Sequence, residues 1–397
     1  MAAIKPAQGV PSFAPSEPSG RGSGRAGAVR ANARALPEHT RSHNRALVLQ
    51  MLYRGTGLSR ADLSRGVGLT RVTISDLVAE LIAEDLVVEL GPSADVRPGK
   101  PATLLDVNRS GFSILGLDLS DDARFHGAVT DLDGKVLHRE QVDVAGSAGP
   151  ATLEAAAALL ERLSAAAKTP VLGVGVGSPG IVDAAGTVRT APNLGWTNVP
   201  LEAFLRQRSG LEVQVANDAN IAALAERTFG GAGEDVMVVR VGRGVGSGIM
   251  VAGSPVVGTR FAAGEIGHVV VGTDGGDLCA CGKSGCLETW LAIPRVEARL
   301  AAAPDGAARE RVLREAGQRL GIALAPVVSA LNLGEVVLGG PPEILDGPLL
   351  AGTAETLRNR TMADLHGDLT LRMTALGDDI VVLGAVVMVL TGQLGVY

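Results

Sequence analysis

From His43 onward the chain switches between two hydrophobic periods, and the switches mark its elements. Leu47, Val48, Met51 and Leu52 recur at helical spacing. Ser59-Arg-Ala-Asp62 has the form of a capping box with Asp in place of Glu, opening a short helix through Leu63. Gly66 and Gly68 supply a turn, and Thr70 can cap the next helix, where Ile74, Leu77, Val78, Leu81 and Ile82 make one apolar stripe. A strand over Leu86–Leu90, a Pro/Gly-rich tip over Pro92–Pro101 and a returning strand over Thr103–Val107 follow. Helix, helix-turn-helix and β-hairpin in that order predict a winged helix over residues 41–110.

Beyond Gly111 the pattern alternates in the α/β manner. Strands are expected at Ile114–Leu119, Phe125–Val129, Val171–Val176, Val236–Val241, Ile249–Val251 and Glu335–Leu338. Helices are expected at Ala151–Ala167, Ala219–Arg227, Arg309–Leu331 and Gly384–Leu390, with a hairpin turn at Asp131–Gly134. The longest apolar run, Ile380–Leu390, is short for a bilayer and interrupted by Gly384, so it predicts a buried element. No short-period repeat is evident.

Residues 1–40 are rich in Pro, Gly, Ser, Ala and Arg without apolar periodicity, which predicts a disordered basic leader. They contain no apolar segment of the secretory kind, and a cytoplasmic location is expected. The composition, 46 % hydrophobic, 3 % aromatic and 53 Gly in 397 residues, suits a soluble α/β protein with many strand-to-loop turns. Charge divides the chain: residues 1–110 hold 14 Lys and Arg against 10 Asp and Glu, and the remainder holds 22 against 32. A basic head on an acidic body suits a polyanionic partner for the head alone.

In a helix-turn-helix the second helix enters the major groove with its N-terminal residues towards the bases. Opposite the apolar stripe, the helix after Thr70 presents Arg71, Thr73, Ser75 and Asp76. Thr70, Arg71, Thr73 and Ser75 are therefore candidate contacts to operator DNA, Arg71 to guanine or phosphate. Arg97 and Lys100 at the hairpin tip could reach backbone or a minor groove. The competing reading is a small protein–protein module with a solvated polar face.

All three cysteines lie within residues 279–286. An odd, tight cluster is no disulfide framework and points to metal in a reducing compartment. His268, Cys279, Cys281 and Cys286 match a closed tetrahedral zinc site, with Gly282 and Gly285 letting the backbone wrap between ligands. Four protein ligands leave no open position, so the expected Zn2+ is a structural staple. The alternative is three buried free thiols near an unrelated histidine.

Several motifs then fall in a familiar order. Gly177-Ser-Pro-Gly180, Asn193-Leu-Gly-Trp196, Asn217-Asp-Ala-Asn220, Gly242-Arg-Gly-Val-Gly-Ser-Gly248, Gly258, Gly264-Glu-Ile-Gly-His268, the cysteine cluster and Leu338-Gly-Gly340 resemble the signature of the ROK family of repressors, open reading frames and sugar kinases. The resemblance runs from about Gly111 to the C-terminus, and the winged helix matches the family's regulator branch. It implies a two-lobed, actin-like (ribonuclease H-like) sugar-kinase-type domain over 111–397, with sugar in the cleft. Asn217, Asp218, Glu265, His268 and Glu288 match positions that contact sugar hydroxyls, and Asp218 matches the kinases' general base. Taken singly, each is also readable as a surface polar residue, or for Asn217-Asp218 as a helix N-cap.

The phosphate grips depart from the kinase pattern. Where the kinases carry Asp-x-Gly-Gly-Thr, this chain has Asp118-Leu-Ser-Asp-Asp122, without either glycine and with two added carboxylates. The turn at Gly242–Gly248 survives but serves equally as a tight hairpin, and Gly339-Gly340 is followed by Pro341. The sequence thus predicts a sugar-responsive transcription regulator, acting on operator DNA as a homodimer or homotetramer, with Asp218 a vestigial base. The rivals are an ATP-dependent sugar kinase with a DNA-binding head and a ligand-independent architectural DNA-binding protein.

Overall fold

Two short polar side chains start the head's helices. The Ser59 hydroxyl accepts from the Asp62 N–H while the Asp62 carboxylate accepts from the Ser59 N–H, which completes the capping box. Thr70 caps the next helix by accepting from the Thr73 N–H at 3.2 Å. The computed structural model describes residues 37–93, 101–272, 275–362 and 368–396. Its first elements are α1 (Pro37–Arg54), β1 (Leu58–Ser59), α2 (Arg60–Val67), α3 (Arg71–Ala83), β2 (Val87–Pro92) and β3 (Thr103–Val107). The three strands form one sheet in the order β1-β3-β2, giving the winged helix expected from the pattern. The first helix begins at Pro37, inside the expected leader, a position proline suits because its missing N–H would be unpaired there anyway. The rest of the leader, with Arg97 and Lys100, lies outside the described residues.

The body repeats one topology twice. The first lobe contains β4 (Ser113–Asp118), β5 (Arg124–Thr130), β6 (Val136–Asp143), α4 (Pro150–Ala166) and β7 (Val171–Ser178). It continues with β8 (Ile181–Val182), β9 (Val188–Ala191), β10 (Trp196–Val199), α5 (Leu201–Ser209) and β11 (Val213–Asn217). Helix α6 (Asp218–Thr228) leads to β12 (Val236–Val241), β13 (Val245–Val251) and β14 (Ser254–Pro255). Then come α7 (Leu287–Leu291), α8 (Ile293–Ala302), α9 (Gly306–Leu331), β15 (Glu335–Gly339), α10 (Pro342–Leu345), α11 (Pro348–Arg360), β16 (Thr370–Met373) and α12 (Ile380–Leu394). The sheet orders are β11-β7-β4-β5-β6 and β14-β13-β12-β15-β16. In each, the first strand pairs antiparallel with the second and parallel with the fourth, and the fourth pairs parallel with the fifth. The duplicated order defines the two-lobed, actin-like body.

Helix α12 ties the parts together. The expected helix over Gly384–Leu390 extends from Ile380 to Leu394, because this element is buried on nearly every side and needs no polar face. Among the described residues, Gly377–Leu394 is long and apolar enough to cross a membrane, but 67 % of it is buried inside the fold, as in a core helix. A Cβ on Gly384 would lie 2.1 Å from the Ile221 carbonyl oxygen, so only glycine lets α12 and α6 cross this closely. Ile380 and Val381 share a hydrophobic cluster with α6, whereas Val386, Val389, Leu390 and Leu394 share one with Val48, Leu52, Ile74 and Leu81 of the head.

Polar contacts reinforce the joint between head and body. The Tyr53 hydroxyl donates to the Leu132 carbonyl at 2.7 Å, and the Arg109 guanidinium donates to the Tyr53 carbonyl at 2.9 Å while lying over its ring. In the second lobe the fully buried Glu226 carboxylate is held by Arg372 at 2.9 Å and by the Thr374 hydroxyl. Arg372→Met strands that carboxylate and should cost about 3–5 kcal/mol of stability. Chemical denaturation checks this; a loss below about 1 kcal/mol would mean that Glu226 is not held as a buried anion.

Candidate functional site: a sugar-type cleft beside a Cys3His cluster

The cleft is assembled from the ends of strands and from the first turn of α6. Asn217 ends β11 and caps α6, its Oδ1 accepting from the Asn220 N–H at 3.0 Å. Its amide donates to the Gly180 carbonyl at 2.8 Å and to Asp218 Oδ1 at 3.1 Å. The N-cap reading of this residue is what the structure shows, and the same side chain holds Asp218 in place. Gly264, at φ +91°, lets the chain pass so close to β13 that a Cβ would sit 2.0 Å from the Ser247 carbonyl oxygen. That approach carries Glu265 and His268 into the cleft. Glu288 enters from the start of α7 and accepts from the Val245 N–H at 3.3 Å.

All five expected sugar contacts line one cavity of about 220 Å³, with Ser120, Asn193, Arg240 and Arg243 among its other walls. Burial raises the Asp218 carboxyl above its usual range, opposed by Arg240, whose Nη1 donates to Asp218 Oδ2 at 2.7 Å. Burial likewise raises Glu265, against the attraction of His268. The Glu265 carboxylate makes no hydrogen bond to another described residue, which leaves a half-buried acceptor facing the cavity. Convergent carboxylates around a small polar cavity are what a polyhydroxylated ligand requires.

The donor atoms of His268, Cys279, Cys281 and Cys286 all lie within 4.8 Å of one another. Cys279 Sγ is 3.6 Å from His268 Nδ1, and Cys281 Sγ is 3.6 Å from Cys286 Sγ. A tetrahedron with metal–sulfur arms of about 2.3 Å has edges of about 3.8 Å, close to the two 3.6 Å separations, so the four residues could hold a metal ion. With no cation, burial and the neighbouring thiols push Cys286 up to about 12. Because Nδ1 faces the sulfurs, the other ring nitrogen of His268 is left for the cavity, and the two roles expected of this residue do not conflict. Cys281 also lines the cavity, so the cluster forms part of its wall.

The first phosphate grip is closed by its own side chains. The Ser120 N–H donates to Asp118 Oδ1 at 2.9 Å, and the Ala123 N–H donates to Asp121 Oδ1 at 2.8 Å. Two amides of this turn thus already serve carboxylates. Asp122 pairs with Arg243, from the second glycine-rich turn, at 2.9 Å. That turn is shorter than the sequence suggests, since β13 already begins at Val245.

On the head, Arg71 and Ser75 are exposed on α3, while Thr73 is half-buried with its hydroxyl 2.9 Å from that of Thr70. Two residues of consequence escaped the sequence reading. Val72 is 71 % exposed on the first turn of α3, although an apolar residue there gave no polar signal. Arg240 is the one charge inside the apolar strand Val236–Val241, a sign that was visible but not read.

A winged helix joined to a duplicated, sugar-kinase-type body with a polar cleft is the class of protein that this fold and site define. The ROK family model matches residues 115–391, and the chain belongs to that family. It is 32 % identical to the xylose repressor of Caldicellulosiruptor bescii, over 88 % of this chain and 96 % of the relative. The solved structure of a ROK family transcriptional regulator, a homologue of the E. coli MLC protein, superposes with a TM-score of 0.78 at 25 % identity, covering 88 % of this chain and 96 % of that one. A ROK family glucokinase from Streptomyces griseus, solved with glucose and AMPPNP, gives a TM-score of 0.62 at 26 % identity and covers 70 % of this chain and 98 % of its own.

Proposed function

We propose that the chain is a sugar-responsive transcription repressor whose head (41–110) binds operator DNA and whose body (111–397) binds a sugar that changes the head's DNA affinity. The observation carrying this reading is the reach of the similarity: the repressor and regulator relatives align over 88 % of the chain, whereas the glucokinase covers 70 %. Asn217 positions Asp218, and Asp218, Glu265, His268 and Glu288 accept from or donate to the sugar hydroxyls. Zinc is the metal that best suits three thiolates and an imidazole in a closed set, and it supplies a fixed wall for the cleft rather than a reaction step. The repressor works in the cytoplasm as a homodimer or homotetramer, since paired half-sites need paired heads.

The body is not an enzyme on this reading. Asp218 would be a base without a donor, because the amides of the first grip are occupied and Asp121 and Asp122 repel phosphate. The glucokinase relatives keep the kinase alternative specific, and a coupled ADP-release assay with a panel of monosaccharides separates the two. The repressor reading expects sugar-dependent operator release without turnover; phosphorylation at about 1 s⁻¹ or faster would establish the kinase.

On DNA, Thr70, Arg71, Thr73 and Ser75 contact base edges or phosphates, and Arg97 and Lys100 add contacts to the backbone or a minor groove. Val72 adds an apolar surface suited to a thymine methyl group. Val72→Ala should therefore lower discrimination at a single T·A pair by about 1 kcal/mol and leave phosphate-driven affinity unchanged. Binding to base-substituted operators checks this; a uniform loss over all sequences would remove Val72 from the base-reading set.

A further inference from the structure

Arg240 stands where two cavities meet. It lines the 220 Å³ sugar-type cavity and also a larger one of about 690 Å³ on the first lobe, whose walls include Asp118, Ser120, Asp121, Asp378 and Asp379. From the end of β12 its guanidinium reaches Asp218 at 2.7 Å, the Ser120 hydroxyl at 3.3 Å and the Asp118 carboxylate at 4.0 Å. One side chain of the second lobe thus bridges the last residue of β4, the turn after it and the first residue of α6.

We propose that Arg240 is a positioning residue of the sugar site: it fixes the Asp218 carboxylate for a sugar hydroxyl and walls the site off on the side of the larger cavity, so that the site takes a free sugar in preference to its phosphate ester. The inference rests on the sugar-binding reading given above. A guanidinium offers a planar fork of donors; here Nη1 donates to Asp218 and to Ser120, and Nη2 lies 4.0 Å from the Asp118 carboxylate as a charge partner. Two carboxylates on one arginine leave no net positive charge for a phosphate. Asp121 and Asp122 follow immediately on the same turn, and Arg243 is occupied by Asp122. An uncharged hydroxyl faces no such repulsion, and an acceptor held by an ion pair orients it. Asp218 is itself largely buried, so without Arg240 the carboxylate would lose its strongest partner and its fixed direction.

The test is calorimetric titration of the full-length protein with D-xylose, D-glucose, D-mannose, D-galactose and N-acetyl-D-glucosamine, and with the 6-phosphates of the hexoses. The wild-type chain should bind a free sugar at least tenfold more tightly than its phosphate. Arg240→Met should lose tenfold or more of that affinity, and Arg240→Lys, which keeps the charge, should recover most of it. In an Asp218→Asn background the Arg240→Met change should add little, because the carboxylate it positions is gone. Should Arg240→Met weaken the fold, the lysine variant and the asparagine background still decide the matter. A phosphate ester that binds as tightly as its free sugar overturns the selectivity. An equal loss from Arg240→Met with and without the Asp218 carboxylate overturns the positioning role. No binding of any panel sugar by the wild type overturns the sugar reading, and this inference with it.

Discussion

Cys286→Ser should empty the metal site and take most of the sugar affinity with it. The Cys286 side chain is fully buried, and its Sγ is 3.6 Å from that of Cys281. A serine hydroxyl there is a poor ligand for zinc and leaves an incomplete set of three. The loss reaches the cleft by short paths. His268 and Cys281 line the cavity, and the Cys279 thiol lies 3.6 Å from Glu288 Oε1. Among the described residues between Val269 and Cys286, the strand-type pairings are two isolated bridges, Val270 with Cys286 and Leu278 with Ser284. A metal is what would hold such a segment in one conformation. Wild-type protein should carry about one zinc per chain, and the variant should carry little and bind sugar at least 10- to 100-fold more weakly. Metal analysis with sugar titration checks both halves. Well-folded wild type without metal would refute the site, and unchanged sugar affinity in a metal-free variant would refute its role as a wall.

Much of the fold is legible along the chain wherever packing imposes a strict period. The head's capping box, the Thr70 cap and the stripe from Ile74 to Leu81 are local signals, and each appears where the pattern places it. Strands β4, β7, β12 and β15 are buried on both faces and read as apolar runs. What escapes is what borrows its stability from neighbours. Strand β6 is an edge strand with mostly exposed residues, including Leu137, so its pattern carries no period. β1 is two residues long and exists only by pairing with β3. The β8–β10 meander is held by Trp196, whose indole N–H donates to the Thr152 hydroxyl at 2.9 Å, a partner 44 residues away. Repetition of the lobes is invisible in the sequence because it lies in strand order alone.

The cleft shows the same division. Motif order leads to the expectation of sugar contacts at Asn217, Asp218, Glu265, His268 and Glu288, and the structure places all five on one cavity. The departure from the kinases' first grip is legible as missing glycines, but not the form of the turn, in which Asp118 and Asp121 bind the turn's own amides. Arg240 shows the limit most clearly. A lone arginine in an apolar strand announces a buried polar partner, yet only the folded chain says that the partner is Asp218.

The same geometry suggests how the cleft reaches the head. Asp218 begins α6, α6 crosses α12 at Gly384, and the far half of α12 shares its core with α1 and α3. A sugar that binds the two lobe arrangements unequally would shift α12, and a shifted α12 would change the spacing of paired recognition helices. Operators set half-sites about 34–36 Å apart, so a small change in spacing costs affinity. Asp218→Ala removes the cleft's central acceptor while leaving every residue of α3 untouched. It should retain operator affinity to within about threefold of the wild type and lose its response to the sugar altogether. Arg71→Ala should do the reverse, weakening operator binding by about 1–3 kcal/mol with sugar affinity unchanged. The deciding measurement is an operator gel-shift titration of the wild type and Asp218→Ala, with and without the sugar that releases the wild type. The account predicts release from the wild type and none from Asp218→Ala; equal release from both would place the effector outside this cleft and contradict it.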